Sequence, residues 1–310
     1  MNKKPELSLI ISYYFQLEII TQTLSEIKNQ VNLIKKNIEV LIIDSDTNSR
    51  NINIGEFTKN TSFLTVNILQ TKNILSTKRN VGFKAAKADY VIFLDDDVIP
   101  KPGFIKKFLT ISKKNNKMLT SCLVDFENPI NSYMYYRKRK ENSVRKNFLS
   151  RKEINPRFAT AMAFGCKRSD IIDNKQYFDE KFIGYGWEDI DYFIEATKKG
   201  LKVGISDIYV IHKESDSYKK YFKKQILMGS WYKYFLEKHP KHARKMKIHI
   251  IYILNPIFKL ILPNIRFIET FLESLIKKDL PFKKFNFFVY EIYFKYANIL
   301  GMLSDSIKYD

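Results

Sequence analysis

The sequence predicts an α/β fold: a mainly parallel sheet flanked by helices, with a helical C-terminal extension. Three observations carry that reading. Short apolar runs alternate with amphipathic segments through the first half of the chain, the pattern of successive βαβ units. Two of those runs stop abruptly at aspartates, Asp44 and Asp95. The composition then changes near residue 215, where Lys-, Tyr- and His-rich sequence leads into apolar and aromatic runs broken by Pro256, Pro263 and Pro281.

Leu7-Ser8-Leu9-Ile10-Ile11 is a short apolar run, as a strand covered on both faces requires. Leu17, Ile20, Leu24, Ile27 and Val31 then recur at steps of three and four, one face of a helix. Val40-Leu41-Ile42-Ile43 is the second strand, ending at Asp44, and Thr65 to Leu69 is a weaker third. Ser76 to Ala88 reads as a helix with Val81, Ala85 and Ala88 on its apolar face, followed by the strand Tyr90-Val91-Ile92-Phe93-Leu94. Further on, Met118 to Phe126 and Phe158 to Phe164 read as strands on either side of a basic stretch, residues 137–146. Asp189 to Lys199 reads as a helix closed by Gly200, a frequent C-terminal stop. Lys202 to Ile205 and Ile208 to Ile211 are two short strands, the second closing on His212. The expected organisation is a catalytic domain over 1–215 and a basic, aromatic-rich helical extension over 216–310, without internal repeats or a Gly/Ser linker.

Composition narrows the classes of function. The 310 residues are 45% hydrophobic and 15% aromatic, which excludes wholesale disorder. Two cysteines, Cys122 and Cys166, are too few for a disulfide framework, so a reducing compartment is expected. The opening Met-Asn-Lys-Lys-Pro-Glu has no apolar core of a signal peptide. No uncharged apolar run reaches the length of about 18 residues that a plain spanning helix needs. The 53 Lys and Arg against 33 Asp and Glu give a formal charge of +20. Such an excess calls for nucleic acid, anionic lipid or a phosphorylated substrate, unless it is only a solvated lysine-rich surface.

In open sheets of this kind ligands bind beyond the carboxyl ends of the strands, where Asp44 and Asp95-Asp96-Asp97 fall. Three carboxylates after a buried strand need compensation, and a hard divalent cation such as Mg²⁺ or Mn²⁺, bridging carboxylate and phosphate oxygens, supplies it. The alternative is a solvated acidic loop. Gly184-Tyr185-Gly186-Trp187-Glu188-Asp189-Ile190-Asp191 combines glycines that admit close backbone approach, a flat apolar ring, and carboxylates at a helix start. A carboxylate so placed can act as a general base toward a hydroxyl; its structural alternative is an ordinary acidic first turn. Arg79 and Asn80 suit a phosphate or base, or else form a solvated helix face. His212 is either a ligand or a structural histidine, while His239, His242 and His249, set among lysines, read as surface residues.

Taken in order, Asp44, Lys78-Arg79-Asn80-Val81-Gly82, Phe93-Leu94-Asp95-Asp96-Asp97, Gly186-Trp187-Glu188-Asp189 and His212 resemble the family 2 glycosyltransferases with the GT-A fold. The likeness is strongest to bacterial polysaccharide transferases related to the chondroitin polymerase and galactosyltransferase group, and it covers roughly residues 7–214. It implies nucleotide-sugar binding by Asp44, Asp46, Arg79, Asn80, Asp95 and Asp96. It also implies Mn²⁺ or Mg²⁺ on Asp97 and His212, Asp189 as general base with Glu188 beside it, and Gly186 and Trp187 lining the acceptor site. The sequence departs from the usual family pattern after the first strand, where Ser12-Tyr13-Tyr14-Phe15 replaces Pro-Thr-Tyr-Asn, and in the shortened Gly186-Trp187-Glu188-Asp189.

The implied reaction is inverting transfer from a nucleotide sugar, by resemblance UDP-linked, to a glycan hydroxyl. The acceptor the resemblance implies is lipid- or polyprenyl-diphosphate-linked, as in capsule or lipopolysaccharide synthesis. Phe282 to Leu303 mixes aromatic and aliphatic residues with lysines, which fits helices lying in a membrane interface. The expected location is therefore the cytoplasm, peripheral on the inner face of the cytoplasmic membrane. A nucleotidyltransferase-like enzyme is the rival reading, but Ser12 to Gln16 has no glycine for a triphosphate loop. A basic nucleic-acid-binding protein ranks last, because the sheet's carboxyl edge is acidic.

Overall fold

The computed structural model describes residues 4–45, 52–114, 118–127, 129–146, 153–213, 217–246, 250, 257, 266–277 and 283–303. Internal contacts divide the chain into two units. The first holds Met1–Glu127, Lys140–Ile183 and Glu188–Glu214; the second holds Asn128–Arg139, Gly184–Trp187 and Ser215–Asp310.

The first unit contains strands β1 (Leu7–Ser12), β2 (Ile38–Asp44), β3 (Leu64–Gln70), β4 (Tyr90–Asp95), β5 (Val98–Pro100), β6 (Met118–Phe126), β7 (Ala163–Lys167) and β8 (Lys202–His212). They form one eight-stranded sheet in the order β3-β2-β1-β4-β7-β6-β8-β5. The pairs β1–β2, β1–β4, β2–β3 and β6–β8 are parallel, and β7 and β5 join antiparallel. Its helices include α1 (Leu17–Ile34), α2 (Ile54–Thr58), α3 (Leu75–Ala85), α4 (Phe104–Lys114), α6 (Arg168–Asp173) and α7 (Glu188–Lys198); α5 (Ser132–Lys146) crosses from the second unit into the first. Successive strand residues feed opposite cores, as the two-residue period of a strand requires. Leu9, Ile11, Val40 and Ile42 enter one cluster with α1, whereas Ile10, Leu41 and Ile43 enter the other.

Several elements depart from the sequence expectation. The strand expected over Phe158 to Phe164 starts later, at Ala163, because Pro156–Phe158 form a 3₁₀ turn. Pro156 opens that turn and the Asn155 side chain accepts from the Arg157 N–H at 3.2 Å. The two strands expected after residue 202 are one strand, β8, and the irregularity is taken up by a register shift against β6 between Ser121 and Leu123. The basic stretch lies in α5, where Arg137 is buried with its guanidinium 4.1 Å from the Tyr221 ring and donating to the Tyr221 hydroxyl at 2.8 Å.

α3 buries more than the apolar face expected of it. Val81 and Ala85 are only partly covered, and Ser76, Thr77, Lys78, Arg79, Asn80, Gly82 and Phe83 are the buried positions. Gly82 makes this possible: an added Cβ would lie 2.3 Å from Ile10 Cγ2 and 3.0 Å from Ile43 Cγ1, so α3 can rest directly on β1 and β2. Gly82→Ala is therefore expected to destabilise the protein by about 1–3 kcal/mol through overpacking, read as a lower midpoint of thermal unfolding.

The second unit is helical: α8 (Tyr218–Ser230), α9 (Tyr232–Lys238), α10 (Pro240–Lys245), α11 (Arg266–Lys277) and α12 (Lys283–Leu303). Tyr133, Tyr136, Tyr221, Phe222, Tyr290, Tyr293 and Phe294 make its aromatic core. Phe267 and Phe271 on α11, and Phe285, Phe288 and Ile292 on α12, stay exposed. No described helix is long and apolar enough to cross a membrane. His239 is buried with its ring 5.1 Å from Phe235, against the surface position expected for it, and His249 lies outside the described residues. Cys122 and Cys166 are buried and unbridged.

Candidate active site

Because β2, β1 and β4 are parallel neighbours, their carboxyl ends stand side by side. That places Asp44, Tyr13 and Asp95-Asp96-Asp97 along one edge of the sheet. Asp44 is 1% exposed, and its Oδ1 accepts from the Ser45 N–H at 2.7 Å. Asp46, the other candidate for the base or ribose, lies outside the described residues.

The three aspartates have different surroundings. Asp95 pairs with Arg79 at 2.9 Å, and Asp96 accepts from the Tyr14 N–H. Asp97 lies 3.1 Å from His212 Nε2. This last contact follows from register, since β5 pairs with β8 so that Val98 faces His212 and the Lys213 N–H donates to the Asp97 carbonyl at 2.8 Å. The imidazole is further held edge-on against Phe126, 5.4 Å between ring centres. Burial, with the neighbouring Asp97 charge, pushes the Asp96 carboxyl up to about 8, partly offset by the Tyr14 N–H. Burial likewise raises Asp95, with Arg79 opposing. Acidic groups raised in this way favour an added cation. Asp97 and His212 offer a carboxylate oxygen and an imidazole nitrogen, a donor pair that suits Mn²⁺. Among the described residues no group of three or more His, Cys, Asp and Glu converges on one point.

Glu188 and Asp189 open α7, where the helix dipole favours carboxylates. Two successive residues with positive φ precede them, Gly186 at 102° and Trp187 at 71°. For a bulky residue that conformation is strained and needs support. The support comes within the second unit: Trp187 Nε1 donates to the Met228 carbonyl at 2.9 Å, and its ring packs on Tyr232 and Phe235. The indole face that the sequence offered to an acceptor is thus covered, and Trp187 is 2% exposed. Asp189, in contrast, is half-buried and accepts from the Ile190 N–H at 2.7 Å. Its charge reaches Asp95, Glu188 and Arg79, so the acid pair of α7 and the acid run after β4 share one site.

Arg79 and Asn80 do not form a solvated helix face. Asn80 Nδ2 donates to the Phe178 carbonyl at 2.9 Å and to Glu180 at 3.0 Å, and Thr77 donates to Glu180 at 2.7 Å. Sequence reading gave no role to Lys78, whose Nζ donates to the Tyr13 carbonyl at 2.6 Å. Burial lowers the Lys78 pKa, opposed by Asp96 and Asp44, so this buried cation belongs to the acidic edge. The available signal was the polar run Ser76 to Asn80 on a segment whose hydrophobic pattern is poor.

Burial, followed by the Asp189 charge, raises the Glu188 carboxyl to about 7. A carboxyl raised on folding binds more protons in the folded state, so the stability it contributes is present at low pH and declines as pH rises from its ordinary range through about 7. The decline amounts to about 3 kcal/mol at most. The melting temperature of the protein is expected to fall by several degrees between pH 5.5 and 8, and by less in Glu188→Gln, which calorimetry at both pH values will show.

The family model for glycosyl transferase family 2 matches residues 8–173. Polypeptide N-acetylgalactosaminyltransferase 8 of Drosophila melanogaster is 26% identical over 133 residues, 40% of this chain and 22% of that protein. This chain thus matches under a quarter of that relative's length. Among solved structures, S. aureus TarS 1-349 has a TM-score of 0.52 at 18% identity, covering 72% of this chain and 64% of that one. The same protein in complex with UDP-GlcNAc has a TM-score of 0.51 at 17% identity, covering 72% and 65%. These structures share the sheet-and-helix architecture, and the family match spans the strands that carry Asp44 and Asp95 to Asp97. The chain therefore belongs to glycosyl transferase family 2.

Proposed function

We propose that the protein is an inverting glycosyltransferase that moves a sugar from a UDP-linked donor to a hydroxyl of a glycan acceptor. The observation that carries the reading is the joining, in one unit, of Asp95, two residues from the Asp97–His212 pair, to Glu188, the residue before Asp189, through Arg79. Asp44, with Lys78 and Tyr13 beside it, lines the end of the edge that receives the nucleoside, and Asp95 and Asp96 continue it toward the diphosphate. Asp189 accepts the proton of the acceptor hydroxyl as its oxygen bonds to the anomeric carbon. The bond from that carbon to the phosphate oxygen breaks, and the nucleoside diphosphate leaves with the electron pair. One base and one displacement invert the anomeric configuration. Asp97 and His212 would hold a divalent cation, which supplies charge neutralisation for the departing diphosphate.

The second unit gives the reading a place. Its exposed Phe267, Phe271, Phe285, Phe288 and Ile292, in a chain with 20 excess positive charges, fit a helical surface resting on anionic lipid. A lipid- or polyprenyl-diphosphate-linked glycan is the acceptor class found there, as in bacterial surface polysaccharide synthesis, with the protein peripheral on the inner face of the cytoplasmic membrane.

The test is to incubate the full chain with a panel of nucleotide sugars and Mn²⁺, following release of the nucleoside diphosphate. Slow hydrolysis of one or more UDP-sugars, with a rise in melting temperature, is expected. If no nucleotide sugar is hydrolysed or shifts the melt, the reading fails.

A further inference from the structure

Arg79 is a deeply enclosed charge of the site, 2% exposed, on a helix where a solvated face was one expectation. One guanidinium nitrogen lies 2.9 Å from Asp95 Oδ1 and the other 3.2 Å from Glu188 Oε1. Phe178 closes the remaining side, its ring 5.0 Å from the guanidinium carbon. The two carboxylates come from elements remote in sequence, 16 and 109 residues from Arg79. Asp95 begins the acidic run that ends in Asp97; Glu188 is the residue before Asp189.

We propose that Arg79 is a positioning residue: its planar fork ties the acidic run after β4 to the first turn of α7 and so fixes the distance between the donor-binding carboxylates and Asp189. The inference rests on the transferase reading of the site. A guanidinium is suited to this because its donors diverge in one plane and can satisfy two carboxylates at once, which a point-like ammonium cannot do. The fork itself is fixed. Asn80, the next residue, exchanges hydrogen bonds with both the carbonyl and the N–H of Phe178, at 2.9 Å each. Gly82, one turn on, seats α3 against β1 and β2. A side chain enclosed in this way, with carboxylates on two of its nitrogens, acts through Asp95 and Glu188. This departs from the direct nucleotide contact that the family resemblance implied for Arg79.

The two roles predict different kinetics. Misplacing a base by even an ångström lowers turnover steeply while leaving ground-state binding nearly intact. Arg79→Lys is expected to lower kcat by 10- to 100-fold, with the donor KM and the Kd of UDP, measured calorimetrically, within threefold of the wild type. The double variant with Glu188→Gln should lose no more than about threefold beyond the worse single variant, since both act through one strut. Should Arg79→Lys fail to fold, Glu188→Gln alone, which keeps the arginine and the volume, is expected to lower kcat at least tenfold at unchanged UDP affinity. A tenfold or greater weakening of UDP binding by Arg79→Lys with kcat preserved would overturn the proposal. So would independent, multiplicative losses in the double variant, or unchanged kcat in Glu188→Gln. A wild-type protein that neither binds UDP nor transfers sugar would instead sink the transferase reading itself.

Discussion

Asp189→Asn is expected to abolish measurable transfer, lowering kcat by about 10²–10⁴-fold, the range removed with a general base, while the protein remains folded and binds UDP as before. The substitution keeps size and shape. It also keeps an oxygen for the Ile190 N–H, which the carboxylate now accepts at 2.7 Å. What it removes is the capacity to take a proton. It removes repulsion too, because the Asp189 charge raises both Glu188 and Asp95. Asp189→Asn should therefore melt at or slightly above the wild-type temperature, so loss of turnover cannot be assigned to loss of fold. Initial rates of UDP release with and without acceptor, beside calorimetric binding of UDP, check both halves. Normal turnover in a folded variant would show that another group takes the proton.

The parallel half of the fold was legible because buried parallel strands read as unbroken apolar runs: Leu7 to Ile11, Val40 to Ile43 and Tyr90 to Leu94 each became a strand at nearly the expected bounds. The acidic strand ends were legible for the same reason, since an aspartate after such a run stands at the sheet's edge. The antiparallel additions were not. β5 is only Val98–Pro100, too short to show a period, yet its pairing with β8 is what places His212 beside Asp97. A register of that kind is a long-range fact with no local signature. The polar face of α3 had no local signature either, because Arg79 and Asn80 suit a ligand or a solvated face alike until partners 16 to 109 residues away are known. Trp187 shows the converse. Its aromatic face looked free for a ligand, and distant Tyr232 and Phe235 cover it.

His212→Ala carries the second large expectation: the Mn²⁺ concentration giving half-maximal turnover should rise at least 10- to 100-fold, the loss that even outer partners of a metal site produce. Asp97 alone offers hard oxygen, which Mg²⁺ and Mn²⁺ accept comparably, whereas the imidazole nitrogen favours the transition metal. His212 is 5% exposed, and its Nε2 lies 3.1 Å from Asp97 Oδ2, so the two donors stand together. Removing it should cost more with Mn²⁺ than with Mg²⁺ and narrow the preference between them. Asp97→Ala takes away the only carboxylate of the pair and should abolish turnover with either cation. Titrating each variant with both metals gives the activity readout, and the free Mn²⁺ signal in electron paramagnetic resonance gives the affinity without turnover. An unchanged Mn²⁺ affinity in His212→Ala would reduce the histidine to an orienting partner of Asp97. The ring would then work through its hydrogen bond, and the short β5 strand would matter for the aspartate's direction, not for completing a coordination shell.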